Sequence, residues 1–437
     1  MRKIAILPLF FAIIAEIFAT IMLFNLKTQR NQKMTKLGAK LLTLTIKNPH
    51  KRTFVYKFIS NNQFAGDTLK KEKAIEKLLH YAHNYLTKPN LAVIHLSGGL
   101  GNQMYNYTFG KALESKGYDV IFDASDYKNL QGDSQNGGGG GNRAQNDANQ
   151  NSTNLNTKNP PKPTNIRNLE ITNFNITLPL DLDFDKELFF DLADKDRANH
   201  PQHKRIKQPY KYLTKGNAFQ TIPLDSMPIH KNTYFDGYLF SLAYFKHLDL
   251  TLRADFTLKT PLSTTNANLK KRILETNDSV FLHIRRGDYV STKECVEYYV
   301  NLCESKYYDS AIKFVKSKLA KPHIFIFSND IAWCERNFLA ILSDKAKKGV
   351  EFEFVANNGE DSAACEMELM RVCQNAIIAN STFSWWAGYL IDNPHKIVVM
   401  PNSYGRDFAQ LTYNDKSQVY ESVVLVDLHS GEIIKRQ

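Results

Sequence analysis

The chain has few of the residues that staple a fold or hold a metal. It contains five cysteines, Cys295, Cys303, Cys334, Cys365 and Cys373, an odd number with no CxxC pair. That speaks against a disulfide framework and against a zinc site, and reduced thiols in a cytoplasmic setting are expected. Two phosphate-binding signatures are also missing. There is no GxGxxG, and no glycine loop runs into Gly-Lys-Ser/Thr, so neither the dinucleotide fingerprint nor the P-loop is present. The body of the chain also lacks net charge. Residues 1–90 hold 16 Lys and Arg against 4 Asp and Glu, which accounts for the whole formal charge of +12, and residues 91–437 hold 40 of each. A neutral body argues against nucleic acid as a partner.

The basic excess belongs to the N-terminal arm. Ile4–Phe24 is an apolar stretch of 21 residues with one charge, Glu16, and one proline, Pro8. At ~1.5 Å per residue it is long enough for a bilayer core of ~30 Å. Lys27, Arg30, Lys33, Lys36 and Lys40 follow it, whereas only Arg2 and Lys3 precede it. The bias of positive charge predicts a single N-terminal span, membrane association, and a body on the cytoplasmic side. A cleaved signal peptide is the rival reading, but no small-x-small site precedes the basic stretch. Residues 34–90 form a basic arm, with a polar helix expected over Gln63–Tyr85.

From Leu91 short apolar runs alternate with amphipathic stretches. Ala92–Leu96 and Tyr118–Phe122 read as strands around a helix at Met104–Lys116. Residues 131–165 break the pattern with five consecutive glycines, Gly137–Gly141, and nine asparagines. Such a composition cannot bury enough surface to offset its ordering entropy, so a disordered surface insert is expected. A second series follows: strands at Val280–Ile284, His323–Phe327, Phe352–Val355, Ala376–Ala379 and Lys396–Met400. Helices are expected between them at Tyr307–Leu319, Trp333–Leu342, Cys365–Cys373 and Ser384–Leu390. This predicts an α/β chain of two Rossmann-like domains, 91–255 and 256–437.

Four stretches carry candidate chemistry. SGGLGNQM supplies Gly98, Gly99 and Gly101 at a strand-to-helix turn, where backbone amides can approach a ligand, with Asn102 and Gln103 as added donors. A tight turn needing glycine is the structural alternative. HIRRGDY places His283, Arg285, Arg286, Gly287 and Asp288 at a strand end. Adjacent guanidiniums suit the two phosphates of a sugar diphosphate, and Asp288 either orients an arginine or acts as a base. ANSTFSWW brings Asn380, Ser381, Thr382 and Ser384 to a helix start, with Phe383 placed to stack a nucleobase. FSND offers Asn329 and Asp330 as ribose or base contacts. The LDLDFD run, with Asp181, Asp183 and Asp185, has the look of a metal motif, but alternating Leu and Asp also describes a half-exposed strand. No metal and no cofactor are expected.

GGLGNQM at Gly98, HIRRGDY at His283 and NSTFSWW at Asn380, in that order, resemble the signature stretches of bacterial-type α-1,2-fucosyltransferases, glycosyltransferase family 11. FDGYLFSLAYF from Phe235 resembles that family's glycine-tyrosine stretch. The resemblance covers residues 91–425. It implies a metal-independent GT-B-like fold, with 91–255 on the acceptor side and 256–437 binding GDP-β-L-fucose. It implies inverting transfer to O2 of a galactose in a glycan acceptor, as in surface polysaccharide or lipopolysaccharide modification; the rival readings are a fucosyltransferase of another, α-1,6-like linkage and a membrane-tethered glycan- or nucleotide-sugar-binding protein without catalysis. It also implies that Arg285 and Arg286 hold the donor diphosphate, and that Ser381, Thr382, Ser384 and Phe383 hold phosphate and guanine. This sequence departs from the family at Phe240, Leu242 and Ala243, where glutamine and charged residues are usual, at Asn375 for histidine, and at Glu366 for aspartate.

Overall fold

The structure is a computed structural model that describes residues 90–130, 168–186, 189, 224–226, 233–237, 239–356, 363–406 and 419–434. The apolar stretch Ile4–Phe24, the helix expected over Gln63–Tyr85 and the insert 131–165 lie outside the described residues. Among the described residues, no helix is long and apolar enough to cross a membrane. The chain divides into two compact units. One comprises Met1–Ala92, Asp183–Lys207 and Ile229–Thr233, and the other Val93–Leu182, Gln208–Pro228 and Tyr234–Gln437. Every residue of the site described below lies in the second.

The predicted β-turn-α-β unit is present as β1 (Leu91–His95), α1 (Leu100–Ser115) and β2 (Asp119–Asp123). The short strands β3 (Leu180–Asp181) and β4 (Thr233–Phe235) complete a sheet of order β3-β2-β1-β4, in which β2 and β3 are parallel. Helices α2 (Asp249–Asp255) and α3 (Thr264–Glu275) lead to the second sheet. There β5 (Ser279–Ile284) is followed by α4 (Asp288–Ser291), α5 (Lys293–Tyr298) and α6 (Tyr307–Lys316). Then come β6 (His323–Ser328), α7 (Ile331–Asn337), α8 (Asp344–Lys347) and β7 (Glu351–Phe354). The chain continues through α9 (Ala363–Arg371), β8 (Asn375–Ile377), α10 (Thr382–Leu390), β9 (Val398–Pro401), β10 (Val423–Val426) and β11 (Ile433–Ile434).

The second sheet has the order β11-β10-β9-β8-β5-β6-β7, and only the β10–β11 pair is antiparallel. Its strand β5, fifth of the seven, is buried at all six positions, as expected for a parallel strand covered on both faces. From β5 the chain builds outward through β6 and β7. It then returns to lay β8 on the other side of β5 and continues through β9. The strand order therefore reverses between β5 and β8. Ligands of open parallel sheets bind at such a reversal, outside the carboxyl ends of the strands. The loop after β5 carries HIRRGDY and the loop after β8 carries NSTFSWW, so the topology alone brings the second and third motifs together.

Four helices, α1, α7, α9 and α10, start earlier than their apolar periodicity predicts. α7 begins at Ile331 because Asp330 caps it, Oδ1 accepting from the Trp333 amide at 3.3 Å. It gives way to a 3-10 turn at Phe338–Ile341. α10 begins at Thr382, directly after Ser381.

Candidate functional site

Arg285 and Arg286 follow the last residue of β5 and are turned to different anchors. Arg285 Nη2 donates to Asp288 Oδ1 at 2.5 Å, and its guanidinium lies 5.2 Å from the centre of the Tyr289 ring. Arg286 Nε donates to Asp330 Oδ2 at 3.0 Å, and its guanidinium lies over the Trp333 ring at 3.6 Å. The backbone amide of Arg286 donates to Asn329 Oδ1 at 2.9 Å. Each guanidinium is thus fixed by a carboxylate and an aromatic ring, and a cation over a ring contributes ~0.5–2 kcal/mol depending on desolvation. Charges held in place before a ligand arrives need no reorganisation when negative charge develops beside them. Gly287, at φ 50°, makes the turn from β5 into α4 in a region other residues avoid.

The sequence placed Asn329 and Asp330 against a ligand. In the structure Asn329 positions the Arg286 backbone, and Asp330 holds the Arg286 side chain while capping α7. Trp333 was not singled out in the sequence. Its signal was its place three residues after the Asp330 cap, on the first turn of α7. The Tyr289 ring stacks on Tyr299 at 3.9 Å with planes 2° apart, and its hydroxyl donates to the Asn380 carbonyl at 3.3 Å. These tyrosines brace the Arg285 loop against the loop after β8.

His283 sits one residue before the end of β5, 4% exposed. Burial first, and the Arg285 charge second, pull its pKa down to about 3, so the ring is neutral near pH 7. Its Nδ1 is buried without a hydrogen-bond partner, and the ring is tilted against Phe383 at 5.5 Å between centres. A buried ring nitrogen left unsatisfied costs ~1–3 kcal/mol, which a ligand atom bonded there would offset.

The residues after β8 divide by role. Asn380 is 1% exposed, and its amide donates to the carbonyls of Val300 and Tyr404, both at 3.0 Å. Ser384 is fully buried, and its hydroxyl accepts from the Ala379 amide at 3.1 Å. These two hold the loop in shape. Ser381 stands at the start of α10 and makes no side-chain capping bond. Thr382 donates its hydroxyl to Asn102 Oδ1 at 2.7 Å, which ties α10 to α1.

That bond explains the glycine-rich turn. A Cβ on Gly101 would lie 2.4 Å from the Phe383 amide nitrogen, 2.5 Å from the Thr382 carbonyl carbon and 2.6 Å from Thr382 Oγ1. Gly101 lets α1 pass against the backbone that opens α10. Gly98 has φ +74°, and a Cβ at Gly99 would meet nothing within 4 Å. Gln103 is fully buried and spends its amide on the carbonyls of Gly98 and Asn168, at 3.0 and 2.8 Å, while its Oε1 accepts from the Ile171 amide. Tyr105 then packs on Trp385 and Trp386, at 5.1 and 4.9 Å between ring centres. The first motif therefore meets the third directly and supports the site from behind.

The LDLDFD run contributes the two-residue strand β3, with Asp181 buried. Among the described residues, no group of three or more His, Cys, Asp or Glu is arranged to hold a metal ion.

The family comparison covers the second and third motifs and not the glycine-rich first one. The model of the family described as glycosyl transferase family 11 matches residues 198–421. The O-antigen biosynthesis glycosyltransferase WbnK of Escherichia coli is 35% identical over 146 residues, 33% of this chain and 45% of that protein. An alpha-1,2-colitosyltransferase of Escherichia coli is 32% identical over 174 residues, 39% of this chain and 55% of that protein. The galactoside 2-alpha-L-fucosyltransferase Sec1 of Mus musculus is 30% identical over 161 residues, 36% of this chain and 41% of that protein. The chain spans about half the length of the curated relatives it matches.

Proposed function

This chain belongs to glycosyl transferase family 11, and from that premise we propose that it transfers L-fucose, with inversion, from GDP-β-L-fucose to O2 of a galactose in a glycan. The observation that carries the reading is the pair of anchored arginines at the β5–β8 reversal. Breaking the anomeric C–O bond leaves both electrons on the GDP diphosphate. Arg285 and Arg286 neutralise that charge, and His283 Nδ1 and the Ser381 hydroxyl face the same ligand. One preorganised donor of this kind is worth ~3–4 kcal/mol of barrier. In this reading the two parallel sheets are the two Rossmann-like halves of a GT-B-like architecture. Ile4–Phe24 tethers the chain to a membrane, with the body on the cytoplasmic side. The alpha-1,2-colitosyltransferase relative supports a second reading, a colitosyl donor in place of a fucosyl donor.

The test is to incubate the purified 437-residue chain with GDP-fucose and galactose-terminated oligosaccharides, with and without EDTA, and to follow GDP and product by mass spectrometry. An EDTA-insensitive product fucosylated at galactose O2 is expected. Binding of GDP-fucose without transfer points to another acceptor, another donor sugar or a binding protein. No binding of GDP or GDP-fucose refutes the donor reading.

A further inference from the structure

The amino ends of β6 and β7 lie on the side of the second sheet away from the anchored arginines. The strands are parallel, and Arg285 and Arg286 follow the carboxyl end of β5. The chain enters β6 and β7 through two lysine-rich stretches. The first, residues 313–323, leads from the end of α6 into β6 and holds Lys313, Lys316, Lys318 and Lys321 without an acidic residue. The second, residues 344–349, is α8 and its exit towards β7, with Lys345, Lys347 and Lys348 against Asp344. The fold joins the two stretches. Lys316 Nζ donates to the carbonyls of Lys345 and Lys348, at 2.8 and 2.5 Å.

Few carboxylates answer these lysines. Asp309 holds Lys313 at 2.5 Å, and Asp344 holds Lys347 at 3.2 Å. Asp278 accepts from the backbone amides of Ala320 and Lys321, at 2.9 and 3.0 Å. Glu351, 75% exposed, lies 3.6 Å from His323, and Glu353 is taken up by Arg272. Seven lysines against Asp278, Asp309, Asp344 and Glu351 leave three positive charges in surplus, on a body whose 40 basic and 40 acidic residues cancel as a whole. Lys318, Lys321, Lys345 and Lys348 have no ion-pair partner among the described residues. The two stretches contain no arginine. A pocket that reads one phosphate favours the planar guanidinium fork, whereas a diffuse anionic surface is met as well by point charges.

An apolar side chain is exposed at the edge of this cluster. Ile341 closes the 3-10 turn Phe338–Ile341 and is 43% exposed. Two residues on, Ser343 donates its amide and its hydroxyl to Asp309 Oδ1, at 2.8 and 2.6 Å, and Asp309 Oδ2 holds Lys313. Two residues span at most about 7 Å. A soluble polyanion has no use for an isoleucine among lysines, while a lipid surface takes up both.

We propose that this face, formed by α6, α8 and the turn before α8, rests on a bilayer surface containing anionic lipids. The lysines meet the headgroup phosphates, and Ile341 enters between them. Residues 1–90 give a reason for such a surface to be at hand, since they carry the apolar stretch Ile4–Phe24 and the chain's twelve surplus positive charges. The face depends neither on that stretch spanning a bilayer nor on the transfer reading. β6 has six residues, about 20 Å at ~3.3 Å per residue. In the transfer reading, a bilayer at its amino end leaves the arginines on the aqueous side, facing a soluble nucleotide sugar and the part of a glycan that stands off the membrane.

Ile341→Trp places a reporter on the face itself. The whole chain would be titrated with vesicles of brominated phosphatidylcholine, with and without phosphatidylglycerol, and its emission followed. The parent, with three native tryptophans, gives the baseline. Quenching beyond it is expected with phosphatidylglycerol, not with phosphatidylcholine alone, and should be lost in 1 M salt. Each lysine near an anionic surface is worth roughly fivefold in partitioning. Lys345→Gln with Lys348→Gln should therefore raise the lipid concentration at half-quenching roughly 25-fold. In a chain already held on the vesicle by its arm, the same weakening lowers the maximal quench. Urea midpoint and GDP affinity should keep their parental values. Lys318→Gln with Lys321→Gln removes two other charges of the face and serves if the first pair does not fold, with the same loss expected. Lys271→Gln, at a side chain 75% exposed on α3, should change the titration less than twofold. A chain that sediments with the vesicles without added quenching overturns the proposal, because the arm alone then makes the contact. Equal quenching on neutral lipid, or quenching indifferent to both lysine pairs, overturns it too. Retention on heparin in place of the vesicles, lost with the same lysines, assigns the face to a soluble polyanion and also overturns it. Failure to bind GDP-fucose sinks the donor reading and leaves this test standing.

Discussion

Gly99 and Gly101 stand two residues apart in one motif, and the structure assigns them opposite tolerances. Alanine at Gly101 would place a methyl 2.4–2.6 Å from three atoms at the start of α10, where ordinary contact is 3.4–4 Å. Two of those atoms are backbone, so relief requires α1 and α10 to separate by about 1 Å. Overpacking of this kind costs ~1–3 kcal/mol. The separation also stretches the Thr382–Asn102 hydrogen bond, 2.7 Å long, for a further ~0.5–1.5 kcal/mol. Gly101→Ala should therefore lose ~2–4 kcal/mol. Gly99→Ala fills empty space at an ordinary φ of −80° and should be neutral or slightly stabilising. The assay is urea unfolding of both variants followed by tryptophan emission, with GDP affinity measured on the folded protein. G101A should also bind GDP more weakly, because the residues it displaces open the site. Equal midpoints for G99A and G101A, or a G101A chain as stable as the parent, would refute the close-approach argument.

Three further outcomes follow. Arg286→Lys loses the Nε bond to Asp330 and the planar contact with Trp333. GDP affinity should fall at least tenfold, about 1.4 kcal/mol, as read by calorimetry, and an unchanged affinity would remove Arg286 from the clamp. Ser384→Ala leaves the buried Ala379 amide without the hydroxyl it bonds at 3.1 Å. Stability should drop by ~1–3 kcal/mol, and an unmoved urea midpoint would show that the hydroxyl is dispensable. Burial works against charge on His95, but the Asp236 hydrogen bond and the charges of Asp236, Asp123 and Asp126 outweigh it, so the ring titrates above the ordinary 6.5 in the folded chain. Its contribution to stability is therefore fully present below about pH 6.5 and is lost as pH rises through the raised value. Urea midpoints across that window should fall less steeply for His95→Gln than for the parent, and parallel profiles would contradict the ion cluster.

Strands β5 to β9 of the second sheet were legible as short apolar runs ending in polar residues, as in HIFIFSND and AIIANST, whereas β10 and β11 were not. Their parallel order, and with it the meeting of the second and third motifs, follows from the same alternation. Strands β3 and β4 were not legible. They are two and three residues long, too short to show a period. The glycine-rich turn was read for the right physical reason, the close approach that a missing Cβ permits. The neighbour that approaches is α10, about 280 residues along the chain, and no local pattern names it. The His95 cluster stayed hidden in the same way. His95, Asp126 and Asp236 come from three separate segments, and only the folded sheet brings them within 2.9 Å.

The chain has three tryptophans, and all of them flank the proposed donor site. Trp333 lies beneath the Arg286 guanidinium, while Trp385 and Trp386 are buried in α10 at 2% and 0% exposure. The emission of the protein is consequently an optical probe of one region in a chain of 437 residues. A nucleotide that drew Arg286 away from its ring would change the brightness of Trp333, and a shift of α10 would change the colour of the buried pair. Occupancy and helix movement can thus be followed as two separate signals, in real time, without attaching a dye.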